Sequence, residues 1–391
     1  MIELTAQTDA GARLVAMAER LAEELAARAA EHDRDGSYPF EAIDALKAAG
    51  YFAAPVPVEL GGLGVGSAHD LVVASSRLAR GDASVAIGVN MHLVAVLNME
   101  RRRRDAVATG AERRARGFAA SLEQIARDGV VLAAAISEPG QDLTRPATRA
   151  TRTPSGWRID GRKMFCTMSP AATALYVAVT CVDDDRYAYA MVPTDAPGVV
   201  VHDDWDALGM RASGSNSVSF EGVELPEAAV RGGFPLGDPV PYMERNLTAG
   251  LFHAAASLGI AETADGIARH RLAGRINGDA SPRTRVAANA IDLAAARAVL
   301  SRAATLIDHD AAQVAELFAE AQAAKAFVND AAARIVDRAL ALSGGAGYLN
   351  GSPLARAYRD VKAGSFMHPL GANRAHDHLA AAALGEEASL H

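Results

Sequence analysis

The sequence predicts a mainly α protein with a β domain at its centre, and three observations carry that expectation. Residues 11 to about 125 keep apolar side chains at three- and four-residue spacing. From about residue 130 the chain breaks into short β-branched runs separated by Gly, Pro and Asp. Beyond Pro241 the helical spacing returns. At 391 residues the chain can bury a large core and divide into subdomains, and the composition changes place the divisions at 1–128, 129–238 and 239–391.

In the first segment Leu14, Met17, Leu21 and Leu25 share one helix face, with Glu19, Arg20, Glu23 and Glu24 off it. Asp35-Gly36 and Pro39 end that helix, "FEAIDALKAAG" reads as a short helix closed by Gly50, and "VPVELGGLGVG" as a glycine-rich turn. The arginine run 101–104 reads as a solvated helix face. In the centre, "VLAAAIS", "ALYVAVTCV", "YAYAMVP" and "GVVVHDD" are strands, and "SVSFEGVEL" alternates with room for a bulge at Gly222. These strands follow one another without intervening helices, so an antiparallel barrel or sandwich is expected rather than a Rossmann sheet. In the last segment Val314, Leu317, Ala321, Ala324, Val328, Ala331 and Ile335 form a small-residue seam suited to helix packing, within a subunit or between subunits.

Composition narrows the function. A net charge of -8 argues against a nucleic-acid partner. No apolar run is long enough to suggest a membrane span, and the N-terminus lacks a secretory pattern, so a cytoplasmic protein is expected. Cys166 and Cys181 form no CxxC pair. "GGLGVG" and "GGAGYLNG" do not fit GxGxxG, and no phosphate loop, HExxH or GxSxG elbow occurs. "HDH" at 376–378 resembles a metal cluster, but on a helix its two rings point about 200° apart, so no metal is expected there.

The helix–strand–helix order, with "VPVELGGLG", "ISEPGQDL", "WRIDGRKMFCTM", "LGMRASGSNSVSFEGVELP" and "LSGGAGYLNGSPLARAYRD", resembles the acyl-CoA dehydrogenase superfamily along nearly the whole chain. The resemblance implies an N-terminal helical domain, a central antiparallel β-barrel or sandwich and a C-terminal four-helix bundle, assembled as a homodimer or homotetramer. It also implies a flavin, FAD or FMN, between the β domain and the bundle. Ile136 and Ser137 then stand where the family's strand end bonds the flavin ring, Phe165 replaces a tryptophan against that ring, and Thr167 supplies a hydroxyl near it. Gly344 and Gly345 match the family's cofactor-binding glycine pair. Taken alone, Phe165 and Thr167 read as ordinary strand residues.

Three departures from the family pattern bear on chemistry. "EPGQDLTRP" is two residues shorter than usual, which removes a serine contact to the flavin. Ala341 stands where a glutamine helps hold the FAD diphosphate, and "HRLAGRINGDASPRTR" lacks the family's R-x-x-FG segment. Neither family location of the catalytic carboxylate is acidic. His368 follows "YRDVK" at one, Ala249 or Gly250 falls at the other, and Glu244 lies a turn away. "FMHPLGANR" is similar to the loop of the two-component flavin monooxygenases, in which flavin supplied reduced by a separate reductase reacts with oxygen. The expected function is therefore a flavin-dependent monooxygenase acting on a small organic substrate through a C4a-hydroperoxyflavin, with His368 as the catalytic residue. His92, on the apolar stretch "VNMHLVAV", is a second catalytic candidate and equally a candidate core residue. The alternatives are an acyl-CoA or acyl-carrier-protein dehydrogenase whose glutamate is replaced, and a non-catalytic scaffold of the same fold.

Overall fold

Helix α1 (Asp9–Asp35) has both ends set by local chemistry: Thr8 caps its first turn and Gly36, at φ 66°, closes it in the left-handed region. The computed structural model that shows this describes residues 2–140, 142–273, 280–386 and 390. Helix α2 (Phe40–Ala48) ends before Gly50, also left-handed. Helices α3 (Ala68–Gly81), α4 (Ala83–Ala108) and α5 (Glu112–Arg127) complete the first segment. The α4 helix is apolar and long enough to cross a membrane by length and composition, but 89% of its apolar window is buried inside the protein. Core packing accounts for that apolarity. The arginine run at its end is less solvated than its sequence suggested. Arg101, Arg102 and Arg103 are half-buried, and Arg101 donates to the Ile307 carbonyl at 2.8 Å.

The central segment supplies strands β1 (Leu132–Ala135), β2 (Arg149–Thr153), β3 (Gly156–Cys166), β4 (Ala174–Cys181), β5 (Arg186–Pro193), β6 (Val199–Val201), β7 (Asn216–Pro226) and β8 (Val230–Pro235). They form one sheet in the order β6-β7-β3-β2-β4-β5-β8, with β1 also on β4. The expectation of a wholly antiparallel sheet needs correcting, because β1 and β2 each run parallel to β4. Alternating hydrophobicity reports which face of a strand is buried; it carries no information about the direction of the neighbour. The bulge falls where expected: the β3–β7 register shifts beside Gly222, whose φ is 62° and whose N–H donates to Asp160 Oδ1 at 2.8 Å.

The last segment contains α6 (Val240–Asn246), α7 (Ala249–Leu272), α8 (Ala280–Asp308), α9 (Val314–Ser343), α10 (Gly345–Tyr348), α11 (Pro353–Lys362) and α12 (Ala372–Leu384). Long helices α7, α8 and α9 pack as a bundle whose open side α11 and α12 cover. The small-residue seam on α9 lies inside the chain, with Leu317, Ala321, Ala324, Val328, Ala331 and Ile335 all buried. Helix α3 packs on α7, where Gly259 lets the two backbones approach: a Cβ there would lie 2.4 Å from the Ser76 carbonyl oxygen. The first and last segments therefore share one apolar core, and the sheet has its own around Ile159, Val177, Val218 and Phe220. Part of the segment lacking R-x-x-FG, and Gln141 of "EPGQDL", lie outside the described residues.

Candidate active site

Strand β1 delivers Ile136 and Ser137 to the end of the sheet, and a buried ion pair fixes them there. Glu138, the next residue, accepts from Lys163 Nζ at 2.6 Å, Ala147 N at 2.5 Å, Thr148 N at 2.7 Å and Thr148 Oγ1 at 2.6 Å. Burial alone would raise the Glu138 pKa, but the Lys163 charge and these donors hold it below its ordinary value, so the carboxylate stays ionised. Lys163 also reaches the Ile136 carbonyl at 3.3 Å, and Met164 N donates to the Ser137 carbonyl at 2.9 Å.

Strand β3 ends by presenting Phe165 and Thr167. Phe165 has a φ of 55°, uncommon for a residue with a side chain, and its ring is 58% exposed beside Trp205 at 6.1 Å. A non-glycine residue held left-handed with its apolar ring in solvent points to a ligand-covered face. Thr167 is half-buried, and its Oγ1 accepts from Ser215 Oγ at 3.0 Å. Ser213 and Ser215 hydroxyls bond each other at 2.7 Å, while Arg211 ties this turn to the Asp33 carbonyl. Phe165 thus offers an exposed apolar ring, and Ser137 and Thr167 carry hydroxyls at the ends of the strands around it; an apolar wall with hydroxyl donors suits a flavin ring.

His368 lies in the loop between α11 and α12, where α6 supplies its partners. Its Nε2 is 2.7 Å from Asn246 Oδ1 and 3.5 Å from the Tyr242 hydroxyl. Asn246 donates through Nδ2 to the Tyr242 carbonyl at 2.8 Å, which leaves Oδ1 to accept from the imidazole. The proton is thereby assigned to Nε2, and Nδ1, which no described residue hydrogen-bonds, keeps a free lone pair. Burial first, and the Lys325 charge second, depress the His368 pKa to about 3, so the ring is neutral throughout the physiological range. The loop itself is clamped. Lys325 of α9 donates to the carbonyls of Met367, of His368 at 3.3 Å and of Leu370 at 2.7 Å, and Tyr242 donates to that of Pro369 at 2.8 Å. Asp360, in the last turn of α11 where the loop begins, accepts from Met210 N at 2.7 Å.

The other predicted residues lie elsewhere. His92 is fully buried, with Nε2 2.9 Å from the Phe52 carbonyl and Nδ1 accepting from Leu132 N at 3.0 Å. Both nitrogens join backbone groups, so the ring ties α4 to the start of β1 and has no lone pair for a substrate. Gly344 and Gly345 are exposed at the end of α9, and a Cβ on either would meet nothing within 4 Å. No hydrogen bond among the described residues joins them to Ile136, Phe165 or His368. The HDH stretch is helical, with His376 exposed and His378 buried edge-on to Phe318.

Sequence reasoning missed Tyr242, Asn246 and Lys325. The first two lie 126 and 122 residues from His368, and only tertiary packing brings them to it. Lys325 did leave a trace. Gln322, Lys325 and Asn329 fall at three- and four-residue spacing on the buried face of α9, where apolar residues belong.

The buried histidine predicts an acid sensitivity. Burial lowers the His92 pKa to about 4. Between pH 6.5 and 4 the unfolded ring takes up a proton that the folded ring refuses, so stability is complete above 6.5 and falls below it. His92 alone should account for a loss of about 3 kcal/mol by pH 4. Urea unfolding at stepped pH values measures this, and His92→Ala, though less stable at neutral pH, should show a shallower slope. An unchanged slope would refute the assignment.

With this geometry established, comparison with known proteins identifies the relatives. Family models for the acyl-CoA dehydrogenase N-terminal, middle and C-terminal domains match residues 8–101, 133–223 and 242–384. The chain is 34% identical to the amino sugar nitrososynthase DnmZ of Streptomyces peucetius, covering 97% of this chain and 95% of that protein. It is 35% identical to the L-evernosamine nitrososynthase of a Micromonospora species, over 97% and 91% respectively. Among solved structures, KijD3 in complex with FMN and dTDP-3-amino-2,3,6-trideoxy-4-keto-3-methyl-D-glucose superposes with a TM-score of 0.91 at 33% identity, covering 98% and 96% of the two chains.

Proposed function

We propose that this chain, which belongs to the acyl-CoA dehydrogenase family, is a flavin-dependent monooxygenase that oxidises the amine of a nucleotide-linked amino sugar. The observation that carries this reading is the His368 imidazole held through Nε2 by Asn246 with Nδ1 left over, at the position that the family resemblance aligns with the dehydrogenase carboxylate. Removing an α-proton from a thioester requires a base. A ring whose pKa is held near 3 is a poor one, but it is a good hydrogen-bond acceptor at any working pH.

In this reading Ser137 and Thr167 bond the flavin ring, Ile136 and Phe165 wall it, and the Glu138–Lys163 pair keeps that wall in place. Reduced flavin, when bound, supplies the electrons with which dioxygen delivers an oxygen atom to the substrate. His368 Nδ1 accepts a hydrogen bond from the substrate amine and turns the nitrogen lone pair toward the flavin side. Asn246 holds the imidazole in the required tautomer, and Lys325 keeps the loop from drifting. We place His92 in the scaffold. Gly344 and Gly345 would serve the cofactor of a second copy, a role supported by the exposed Tyr348 and Leu349 that follow them in the chain. A separate reductase would supply the reduced flavin.

The test is turnover with FMN or FAD, a flavin reductase, NADH, oxygen and a dTDP-linked amino sugar, read by mass spectrometry for oxygen gain at nitrogen. Anaerobic bleaching of bound flavin by an acyl thioester, with no oxygenated sugar, would reject this reading for the dehydrogenase. Phe165→Gly gives an independent check, because it relieves the left-handed backbone while removing the flavin wall. Stability should hold or rise by up to about 1 kcal/mol, while flavin affinity falls about tenfold, on the scale of one lost aromatic contact. Equilibrium titration and thermal unfolding read the two effects separately.

A further inference from the structure

Beside the aromatic cluster that backs Ile136 lies a cleft of about 940 Å³, lined in part by Asn98, Arg102, Arg114, Phe234, Glu244 and Leu247. Its arginines are unevenly engaged. Arg101 is engaged by the Ile307 carbonyl and by Asp308 at 3.8 Å, and Arg103 by Glu100 at 2.7 Å. Among the described residues the half-buried Arg102 side chain has no ion pair or hydrogen bond, and neither has the exposed Arg114 side chain on the same cleft. Behind Phe234 and Glu244 sits a third guanidinium. Arg245 is buried, packed 3.9 Å from the Tyr189 ring centroid and 5.0 Å from that of Phe234, and bonded to the neutral Tyr176 hydroxyl. Among the described residues its Nε has no partner, and no carboxylate pairs with it.

The cleft's carboxylates, Asp105, Glu244, Asp308 and Asp310, match its lining arginines in number but, among the described residues, leave Arg102 and Arg114 without a direct partner. Asp308 is occupied by Ser67 Oγ, Ala68 N and His69 N at the start of α3. Asp105, Asp310 and Glu244 also face the cleft; Glu244 attracts Arg102 through space, but among the described residues none accepts a hydrogen bond from Arg102, Arg114 or Arg245. Two half-buried or buried guanidiniums side by side repel: the Arg102 pKa is lowered by burial first and by Arg245 second, with Tyr176 and Glu244 acting the other way. Such an arrangement is relieved by an anion that accepts from both sides.

The cleft also lies next to the candidate active site. Arg245 directly precedes Asn246, which bonds His368, and Asn98 fixes that stretch by donating to the Arg245 carbonyl at 2.6 Å. Tyr242 and Asn246 turn toward His368, while Glu244 and Leu247 face the cleft. A ligand seated on the arginines would thus be anchored within one short helix of the reacting group.

We propose that this cleft is the phosphate subsite of the enzyme, in which Arg102 and Arg114 bind the diphosphate of a nucleotide-linked substrate and Arg245 adds positive potential from behind. The assignment rests on the amino-sugar-nucleotide reading above and extends it to residues that touch no flavin. Guanidinium forks match phosphate oxygens in pairs, and a diphosphate offers enough of them for two arginines on different helices.

The experiment is calorimetric titration of thymidine diphosphate, thymidine and inorganic pyrophosphate into the wild-type protein, Arg102→Ala, Arg102→Gln, Arg114→Ala and Arg116→Ala. Arg116 lies on the same helix as Arg114, is exposed and pairs with Glu112, so it controls for net charge. The expected result is that thymidine diphosphate binds, that either Arg102 variant weakens it tenfold or more, that Arg114→Ala weakens it severalfold, and that Arg116→Ala changes nothing. Thymidine, lacking phosphate, should respond to none of them. Equal affinity in wild type and both Arg102 variants would overturn the subsite and leave the monooxygenase reading intact. So would a wild-type protein that turns over an amino sugar nucleotide yet binds neither thymidine diphosphate nor pyrophosphate. Should Arg102→Ala fail to fold, Arg102→Gln and Arg114→Ala decide the same question. Flavin affinity, measured alongside, should be unchanged in every variant, and its loss would mean that the cleft belongs to the cofactor.

Discussion

Replacing His368 with alanine is expected to slow substrate oxygenation by about a hundredfold or more while the protein remains folded and binds flavin, as misplacing a reacting nitrogen does. The reason is geometric. Nδ1 is the free lone pair that the Tyr242–Asn246–His368 chain leaves over, and alanine removes it without disturbing the Lys325 clamp, which grips only backbone carbonyls. Oxygen consumption should continue, now yielding hydrogen peroxide in place of oxygenated product. Because burial holds the His368 pKa near 3, the ratio of wild-type to variant rates should stay constant from pH 5 to 8. A wild-type limb near pH 6.5 that vanishes in the variant would show instead that the ring titrates as a proton donor. Asn246→Ala, which frees the tautomer, should give part of the same loss. Equal turnover in His368→Ala and wild type would remove His368 from the mechanism.

The largest effect on stability is expected at Lys163. Its ammonium is fully buried and pairs with Glu138 at 2.6 Å, so Lys163→Met strands a carboxylate beneath the flavin wall. Breaking one side of a buried pair destabilises by about 3–5 kcal/mol. Three further donors to Glu138, from Ala147 and Thr148, argue for the lower end of that range. The double replacement Lys163→Met with Glu138→Gln should recover much of the loss, since it removes the unpaired charge and keeps an acceptor for the Ala147 and Thr148 donors. Denaturant unfolding of both variants measures this directly. A single variant as stable as wild type would mean that the pair contributes nothing to holding Ile136 and Ser137.

Much of this protein was legible in the chain alone. Helix ends were written in Gly36 and Gly50, the bulge in Gly222, and the core face of α9 in the spacing from Leu317 to Ile335, because these depend on local backbone sterics and on periodic burial. Family motifs placed His368 in a loop after α11, and Phe165 and Thr167 at the end of β3. Other features had no local cause. The parallel pairing of β1 and β2 with β4 depends on chain path, which alternation along a strand does not encode. His92 reads the same in sequence whether it serves a pocket or a scaffold; the Phe52 carbonyl and Leu132 amide, 40 residues away on either side, occupy both of its nitrogens. Arg101 to Arg103 look like a solvated run until the tertiary fold half-buries them, and α6 sets both Arg245 and Glu244 near Arg102. The tautomer of His368 was likewise decided by Asn246 and Tyr242, more than a hundred residues distant. Sequence determined what each segment buries and where each helix stops; the charge and proton position at the reacting centre came from contacts that only the folded chain makes.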